Sequence, residues 1–301
     1  MRILVTGSHG MIGSALVARA RGDRHEVVRL VRPGRAAAAG GIPWDIARGQ
    51  VDPAGLEGFD AVVHLAGENI AGRWTAAKKA SIRDSRIRGT SLLSDSIRGL
   101  ARPPRVLVCA SAVGFYGSRG DELLDESAAA GRGFLAEVCR DWEAAAAPAR
   151  ARGIRVVHLR FGMVLSPAGG ALAKMLLPFR MGLGGRVGSG LQYMSWISLD
   201  DAVGILLAAV ESDRLTGPVN AVTPEPVTNR EFTRILGKVL NRPTLLPMPA
   251  FAVRLLFGEM GESLLLGSVR VRPGLLQAAG HPFQYPELAP ALRHLLGREG
   301  R

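Results

Sequence analysis

The stretch Arg2-Ile3-Leu4-Val5-Thr6-Gly7-Ser8-His9-Gly10-Met11-Ile12-Gly13, running on into Ser14-Ala15-Leu16-Val17-Ala18-Arg19-Ala20, sets the architecture of this chain. An apolar run, a turn with glycines at 7, 10 and 13, and a helix-forming segment follow one another without a gap. Strand, glycine turn and helix in this order make a site for an anion. The first N–H groups of the helix lack partners, and the positive end of its dipole faces outward. Gly7 permits the turn, Gly10 lets backbone approach a pyrophosphate, and Gly13 lets helix pack on strand. The spacing predicts a dinucleotide site, with Met11 and Ile12 in its first helical turn.

Outward from this turn, strand and helix patterns alternate through about residue 240, which predicts a doubly wound α/β fold of the Rossmann type around a parallel sheet. Strands are expected at Arg2 to Thr6, Glu26 to Val31, Ala61 to Ala66, Val106 to Ala110 and Ile154 to Leu159. A long polar helix is expected from Thr75 to Leu100. Ser198 to Asp201 reads as a capping box that opens a helix. Past Pro243 the pattern changes, so 1–244 reads as the cofactor-binding domain, with 170–200 on its substrate side, and 245–296 as a small appended unit.

Composition narrows the function classes. The 301 residues are 47% hydrophobic, enough for a sizeable core. No apolar run reaches the ~18 residues of a membrane span, and no leader is visible before the first strand. Cys109 and Cys139 are too few for a disulfide framework and have no metal-ligand partners nearby. A cytoplasmic protein without a metal, a membrane partner or a nucleic-acid partner is expected. The net charge of +12 does not contradict this, because 34 of the 38 basic residues are arginines spread along the whole chain. A homodimer is open.

In such a sheet the ligand lies beyond the carboxyl ends of the strands. After strand two stands Arg32, with no acid between 30 and 35, which favours the 2′-phosphate of NADP over the bare ribose of NAD; Arg35 is a second choice. After strand three, Leu65, Ala66 and Gly67 should run beside the ribose. Glu68 reads either as a general acid or base or as a helix N-terminal acid. His64 reads as a core histidine. Arg86, on the following helix, reads as a cofactor contact or a solvated surface group. After strand four come Ser111 and Tyr116, candidates to orient or protonate a substrate. After strand five, Arg160 to Val164 would pass the nicotinamide. Gly182 to Gly190 with Gln192 to Trp196 reads as a substrate lid or a plain connector.

These residues resemble the extended short-chain dehydrogenase/reductase superfamily. The likeness is to an atypical branch of epimerase-family proteins sometimes labelled cell-division-inhibitor homologues. It rests on TGSHGMIG (6–13), PWD (43–45), LAGENI (65–70), SAVGFYG (111–117), FLAEVCRDWEAAA (134–146), LLPFRMGLGG (176–185) and GSGLQYMSWI (188–197), and Leu246 to Leu296 resemble that branch's C-terminal domain of unknown function. The resemblance implies NADP (NADPH) as cofactor, held by Gly7, Gly10, Ile12, Gly13, Arg32, Leu65, Ala66, Arg86 and Val164. It also implies an oxidoreductase or epimerase chemistry built on a Tyr-x-x-x-Lys pair. Four residues after Tyr116, Tyr193 and Tyr285 stand Gly120, Ile197 and Ala289, and where the pair belongs the chain has Phe134 and Val138. Ser111, Tyr116 and Glu68 are therefore the catalytic candidates of an otherwise unassigned reaction. A non-catalytic NADP-binding sensor or interaction protein is the alternative.

Overall fold

The computed structural model describes residues 1–34 and 41–298; Arg35 lies outside them. In chain order the strands and α-helices begin with β1 (Arg2–Thr6), α1 (Met11–Gly22), β2 (Glu26–Val31), β3 (Ile42–Asp45), β4 (Gln50–Val51), β5 (Ala61–His64) and α2 (Ala76–Arg98). They continue with β6 (Val106–Ala112), β7 (Leu123–Leu124), α3 (Phe134–Ala144), α4 (Ala147–Ala151), β8 (Arg155–Phe161), β9 (Met163–Leu165) and α5 (Gly170–Arg180). The last are β10 (Tyr193–Met194), β11 (Trp196–Ser198), α6 (Leu199–Glu211), β12 (Gly217–Ala221), β13 (Val227–Thr228), α7 (Asn229–Leu240), α8 (Ala250–Gly261), β14 (Arg270–Val271), α9 (Gly274–Ala278) and α10 (Leu288–Leu295).

The main sheet has the order β12-β8-β6-β5-β1-β2-β3-β4, parallel except for the β3–β4 edge. Chain order reverses on either side of β1, so its carboxyl end and that of β5 open the crevice where such folds bind ligands. Alternation along the strands builds two cores. Ile3 and Val5 pack with Leu16 and Val17 of α1 and Ile205 and Leu206 of α6. Leu4, Val62 and Leu107 face the opposite way, toward Leu93 and Ile97 of α2 and Trp44. A central parallel strand covered on both faces is buried throughout, as β5 (Ala-Val-Val-His) is, its histidine included.

Several element boundaries differ from the sequence reading. Strand β5 ends at His64, leaving Leu65 and Ala66 outside the ladder, whereas β6 extends to Ala112 because Ser111 and Ala112 pair with Arg160 and Phe161. Ser198 caps α6 by accepting from the Asp201 N–H at 3.0 Å. The reciprocal half of a capping box is missing. The Asp201 carboxylate instead accepts the Ser198 hydroxyl and the N–H groups of Gln284 and Tyr285 (2.7 and 3.0 Å), which ties the C-terminal segment to α6. The same segment makes further contacts with the rest of the chain. Strand β14 pairs with β7, and Leu276 of α9 lies in the core of the main sheet.

Candidate active site

The turn after β1 has the geometry its glycines imply. Gly7 has a φ of +66°, and a Cβ there would stand 2.6 Å from the Leu65 carbonyl carbon. A Cβ on Gly13 would stand 2.3 Å from the Gly7 carbonyl oxygen, so neither position admits a side chain without moving backbone. Gly10 closes the turn by donating to the Gly7 oxygen at 3.0 Å and is itself the N-cap of α1. No side chain caps this helix, and no acid stands in its first turn. Its first N–H groups thus face the crevice with the dipole unopposed. Met11 and Ile12 pack at the edge of the core cluster that also holds Val164 and Leu65, and Met11 sits against Gly169 and Gly170 at the start of α5.

Leu65, Ala66 and Gly67 form a ledge beside this turn, held from below by a chain of side chains. Thr6 Oγ1 accepts the N–H groups of Leu65 and Ala66 at 3.1 and 3.2 Å, which fills its lone pairs. Its own proton must then go to His64 Nδ1, 2.7 Å away. This assigns the remaining imidazole proton to Nε2, which donates to Thr90 Oγ1 at 3.0 Å; Thr90 also accepts from Trp142 Nε1 at 2.9 Å. Burial pushes the His64 pKa down to about 4, so the ring is neutral at physiological pH. His64 is thus the satisfied core histidine expected, with a specific task.

Beyond the ledge the charges are positive. Arg86 lies over Gly67, with Nη1 donating to the carbonyl oxygens of Glu68 and Ile82 (3.0 and 3.1 Å) and its guanidinium 5.0 Å from the centre of the Trp142 ring. Among the described residues Nε–H and both Nη2–H bonds remain for a further acceptor. Glu68 forms a 2.6 Å ion pair with Lys78, a residue the sequence reading passed over. That hydrogen bond holds the Glu68 carboxyl below its ordinary range, with Arg32 and Arg86 adding to the effect. Arg32, exposed just past β2, therefore belongs to the same electrostatic neighbourhood. As a carboxylate, Glu68 is suited to accept a proton rather than donate one.

The residues at the carboxyl ends of β6 and β8 gather around an almost fully buried arginine. Arg160, 3% exposed, grips Glu143 of α3 through two 2.8 Å bonds, Nε to Oε1 and Nη2 to Oε2. Such a fork matches a carboxylate in plane. Ser111 Oγ donates to the same Oε1 at 2.7 Å. Tyr116 is fully buried, accepts from Arg160 Nη1 at 2.9 Å and donates to Asn220 Oδ1 at 2.7 Å. Burial raises its pKa further, so the phenol keeps its proton. Phe115 lies 3.4 Å from the guanidinium carbon of Arg160. Sequence reading found Ser111 and Tyr116 but missed Glu143 and Asn220, and it noted Arg160 only for its backbone. The available signal was a charged residue inside the apolar run Val156 to Phe161.

On α3, the i, i+4 pair that faces the end of β6 is Leu135 and Cys139, both close to Gly114. Phe134 instead stacks edge-on against Trp74, and Val138 is buried. Leu135 and Cys139 are thus the side chains that α3 turns toward the end of β6. Burial pushes the Cys139 thiol up to about 11. The loop after α5 is stapled at several points, since Gly188 N–H donates to the Met248 oxygen (2.8 Å) and Gln192 Nε2 to the oxygens of Val187 and Leu265 (3.0 and 2.9 Å).

Comparison with known proteins gives the family. Residues 3–221 match the model of the NAD dependent epimerase/dehydratase family, and 248–295 match a domain of unknown function, DUF1731. An epimerase family protein of Mycobacterium bovis is 47% identical over 99% of this chain and 98% of its own length. The epimerase family protein SDR39U1 of Homo sapiens is 37% identical over 98% of this chain and all of its own. A crystal structure of human SDR39U1 (isoform 2) with NADPH superposes with a TM-score of 0.89 at 35% identity, covering both chains fully. A nucleoside-diphosphate sugar epimerase from Corynebacterium glutamicum gives 0.81 at 36% identity, over 99% of this chain and 58% of that one. The chain belongs to the NAD dependent epimerase/dehydratase family.

Proposed function

We propose that this protein binds NADP(H) and acts as an oxidoreductase or epimerase on a small substrate, without a Tyr-x-x-x-Lys pair. The observation that carries the reading is the uncapped start of α1 beneath a turn that admits no Cβ, with Arg32 standing past the next strand. The turn (Gly7, Gly10, Gly13), with the N–H groups of Met11 and Ile12, would hold the pyrophosphate. Leu65, Ala66 and Gly67 would bear the ribose, and Val164 with Met11 would close the apolar side. Arg32 would take the 2′-phosphate, with Lys78 and Arg86 deepening the positive field around it. Bound NADPH would supply hydride. The likeness to human SDR39U1, solved with NADPH, supports the choice of cofactor. We assign 1–244 to this cofactor-binding unit, with 170–200 on the substrate side, and 245–296 to a small C-terminal unit.

For proton handling, Ser111 and Glu68 are the candidates. The Ser111 oxygen, its proton committed to Glu143, can accept from a substrate hydroxyl, and Glu68 is a standing carboxylate. Tyr116 fits a positioning role, since Asn220 holds its proton and its oxygen orients Arg160. One observation favours a second reading, in which the cofactor's redox state governs a partner and no turnover occurs. The positions facing the end of β6 from α3 carry an apolar Leu135 and a Cys139 thiol that stays protonated at neutral pH.

Titration of NADPH and NADH fluorescence tests the cofactor. Arg32→Ala should weaken NADPH about tenfold or more, as a lost charge-assisted hydrogen bond does, and leave NADH within about twofold. Equal weakening of both overturns the NADP assignment. A carbonyl panel followed at the NADPH absorbance then separates the readings, because binding without any oxidation selects the sensor.

A further inference from the structure

The protein also carries an apolar face, on α8 and the segments before it, that nothing in the described chain covers. Helix α8 buries Val253 and Met260 but turns Phe251 and Leu255 outward, 71% and 75% exposed. Leu245 and Leu246, just before it, are 81% and 54% exposed, and Leu183 on the neighbouring loop is 52% exposed. Backbone joins these segments into one surface. Met248 N–H donates to the Arg186 oxygen at 2.9 Å, Gly188 N–H returns to the Met248 oxygen at 2.8 Å, and Gly182 lies against Pro243. Isolated surface leucines are ordinary, but a cluster of this kind marks an interaction surface.

The border of the face is basic. Arg186, Arg230 and Arg234, with Thr233 and Thr244, line a cavity of about 250 Å³ whose apolar walls are Leu245 and Pro247 of the same face. Arg242 stands close by, donating to the Arg180 oxygen at 2.8 Å. No acidic side chain lines the cavity among the described residues. Of the acids near these residues in sequence, Glu231 is engaged in the capping box of Thr228, Glu262 on Arg254 and Glu259 on Lys79, while Glu225 is exposed.

We propose that this face docks on an anionic membrane surface, with the arginine cavity taking lipid phosphate and Phe251, Leu255 and the flanking leucines entering the acyl boundary. Apolar side chains beside a cluster of arginines are what an interfacial segment needs, the first for burial and the second for attraction to anionic headgroups. A second copy of the chain is the poorer occupant. A two-fold contact sets the same patch against itself, so a dimer through this face would bring two arginine clusters together with no acid of the cavity lining to offset them. No helix among the described residues is long and apolar enough to cross a membrane, so the association is peripheral. It revises the expectation of no membrane partner, which rested on the absence of a span.

The test is co-sedimentation of the full chain with vesicles of phosphatidylcholine alone and of phosphatidylcholine with phosphatidylglycerol. Binding is expected only to the anionic vesicles and should weaken as salt rises. Arg230→Gln with Arg234→Gln should lower the partition coefficient about 25-fold, at about fivefold per charge. Phe251→Ser with Leu255→Ser should lower it about tenfold or more, with the circular-dichroism melt and NADPH affinity unchanged. No binding to anionic vesicles, or binding indifferent to the Phe251 and Leu255 changes, overturns the proposal. Saturable binding of inorganic phosphate without vesicle binding overturns it in favour of a soluble anion. A doubled mass in light scattering that Leu255→Ser abolishes, again without vesicle binding, assigns the face to a second copy.

Discussion

Replacing Thr6 with valine removes one hydroxyl at nearly constant shape and cuts the ledge from its support. Three contacts go: the acceptor of the Leu65 and Ala66 N–H groups, and the donor to His64 Nδ1. A fully buried polar group left unpaired costs about 1–3 kcal/mol. Leu65 and Ala66 are only half-buried, so water can recover part of their loss, whereas His64 is fully buried and keeps the full penalty. Together these give about 3 kcal/mol, which for a chain of this size is a fall in Tm of about 5 °C. Because the freed N–H groups belong to the ledge itself, NADPH affinity should drop about tenfold as well. Thr6→Ser, which restores the hydroxyl, should recover most of both. The assays are a thermal melt by circular dichroism and an NADPH titration. A Thr6→Val protein within about 1 °C of the parent, with unchanged NADPH affinity, would refute the assigned role of this chain of hydrogen bonds.

Two further outcomes follow from buried charge. Burial pushes both His64 and His158 down to about 4, against 6.5 in the unfolded chain. Their contribution is therefore whole above pH 6.5 and is lost as pH falls toward 4, because only the unfolded chain takes up protons in that window. Each histidine is worth up to about 3 kcal/mol across it, so the urea midpoint should fall clearly between pH 7.5 and 4.5, and a flat profile would contradict the burial. Glu143→Ala should destabilise by about 3–5 kcal/mol by stranding the Arg160 cation, and Glu143→Gln by less; equal urea midpoints for the two variants would count against the buried pair.

What the sequence made legible was what short-range sterics decide. The turn at 7–13 could be read because φ and Cβ contacts leave little room for anything but glycine there, and β1 because its interior Ile3-Leu4-Val5 is an unbroken apolar run buried on both faces. The ledge could not be read. Leu65 and Ala66 look like strand, and their release depends on Thr6, 59 and 60 residues away. Arg160 advertised a buried partner without saying which acid supplied it, and Glu143 on α3 looks like any helix-surface carboxylate. The links of the C-terminal unit to the rest of the chain could not be read, because two-residue strands such as β14 and β7 have no periodicity to detect. Asp201 shows the same limit in a cap: its neighbours in sequence predict a reciprocal box, but its carboxylate is spent on residues 83 and 84 positions away.

The hydrogen-bonded path from the ledge ends on an indole, and this gives the protein an optical reporter of its own. Trp142 donates to Thr90, which meets His64, while Arg86 holds its charge over the face of the same ring. Trp44 touches His64 edge-on from another side. An anion drawn to the free donors of Arg86 alters the electric field across Trp142, and strain in Leu65 or Ala66 reaches both rings through the imidazole. Occupancy of the crevice should therefore shift intrinsic emission without any label, even for a ligand that is itself dark.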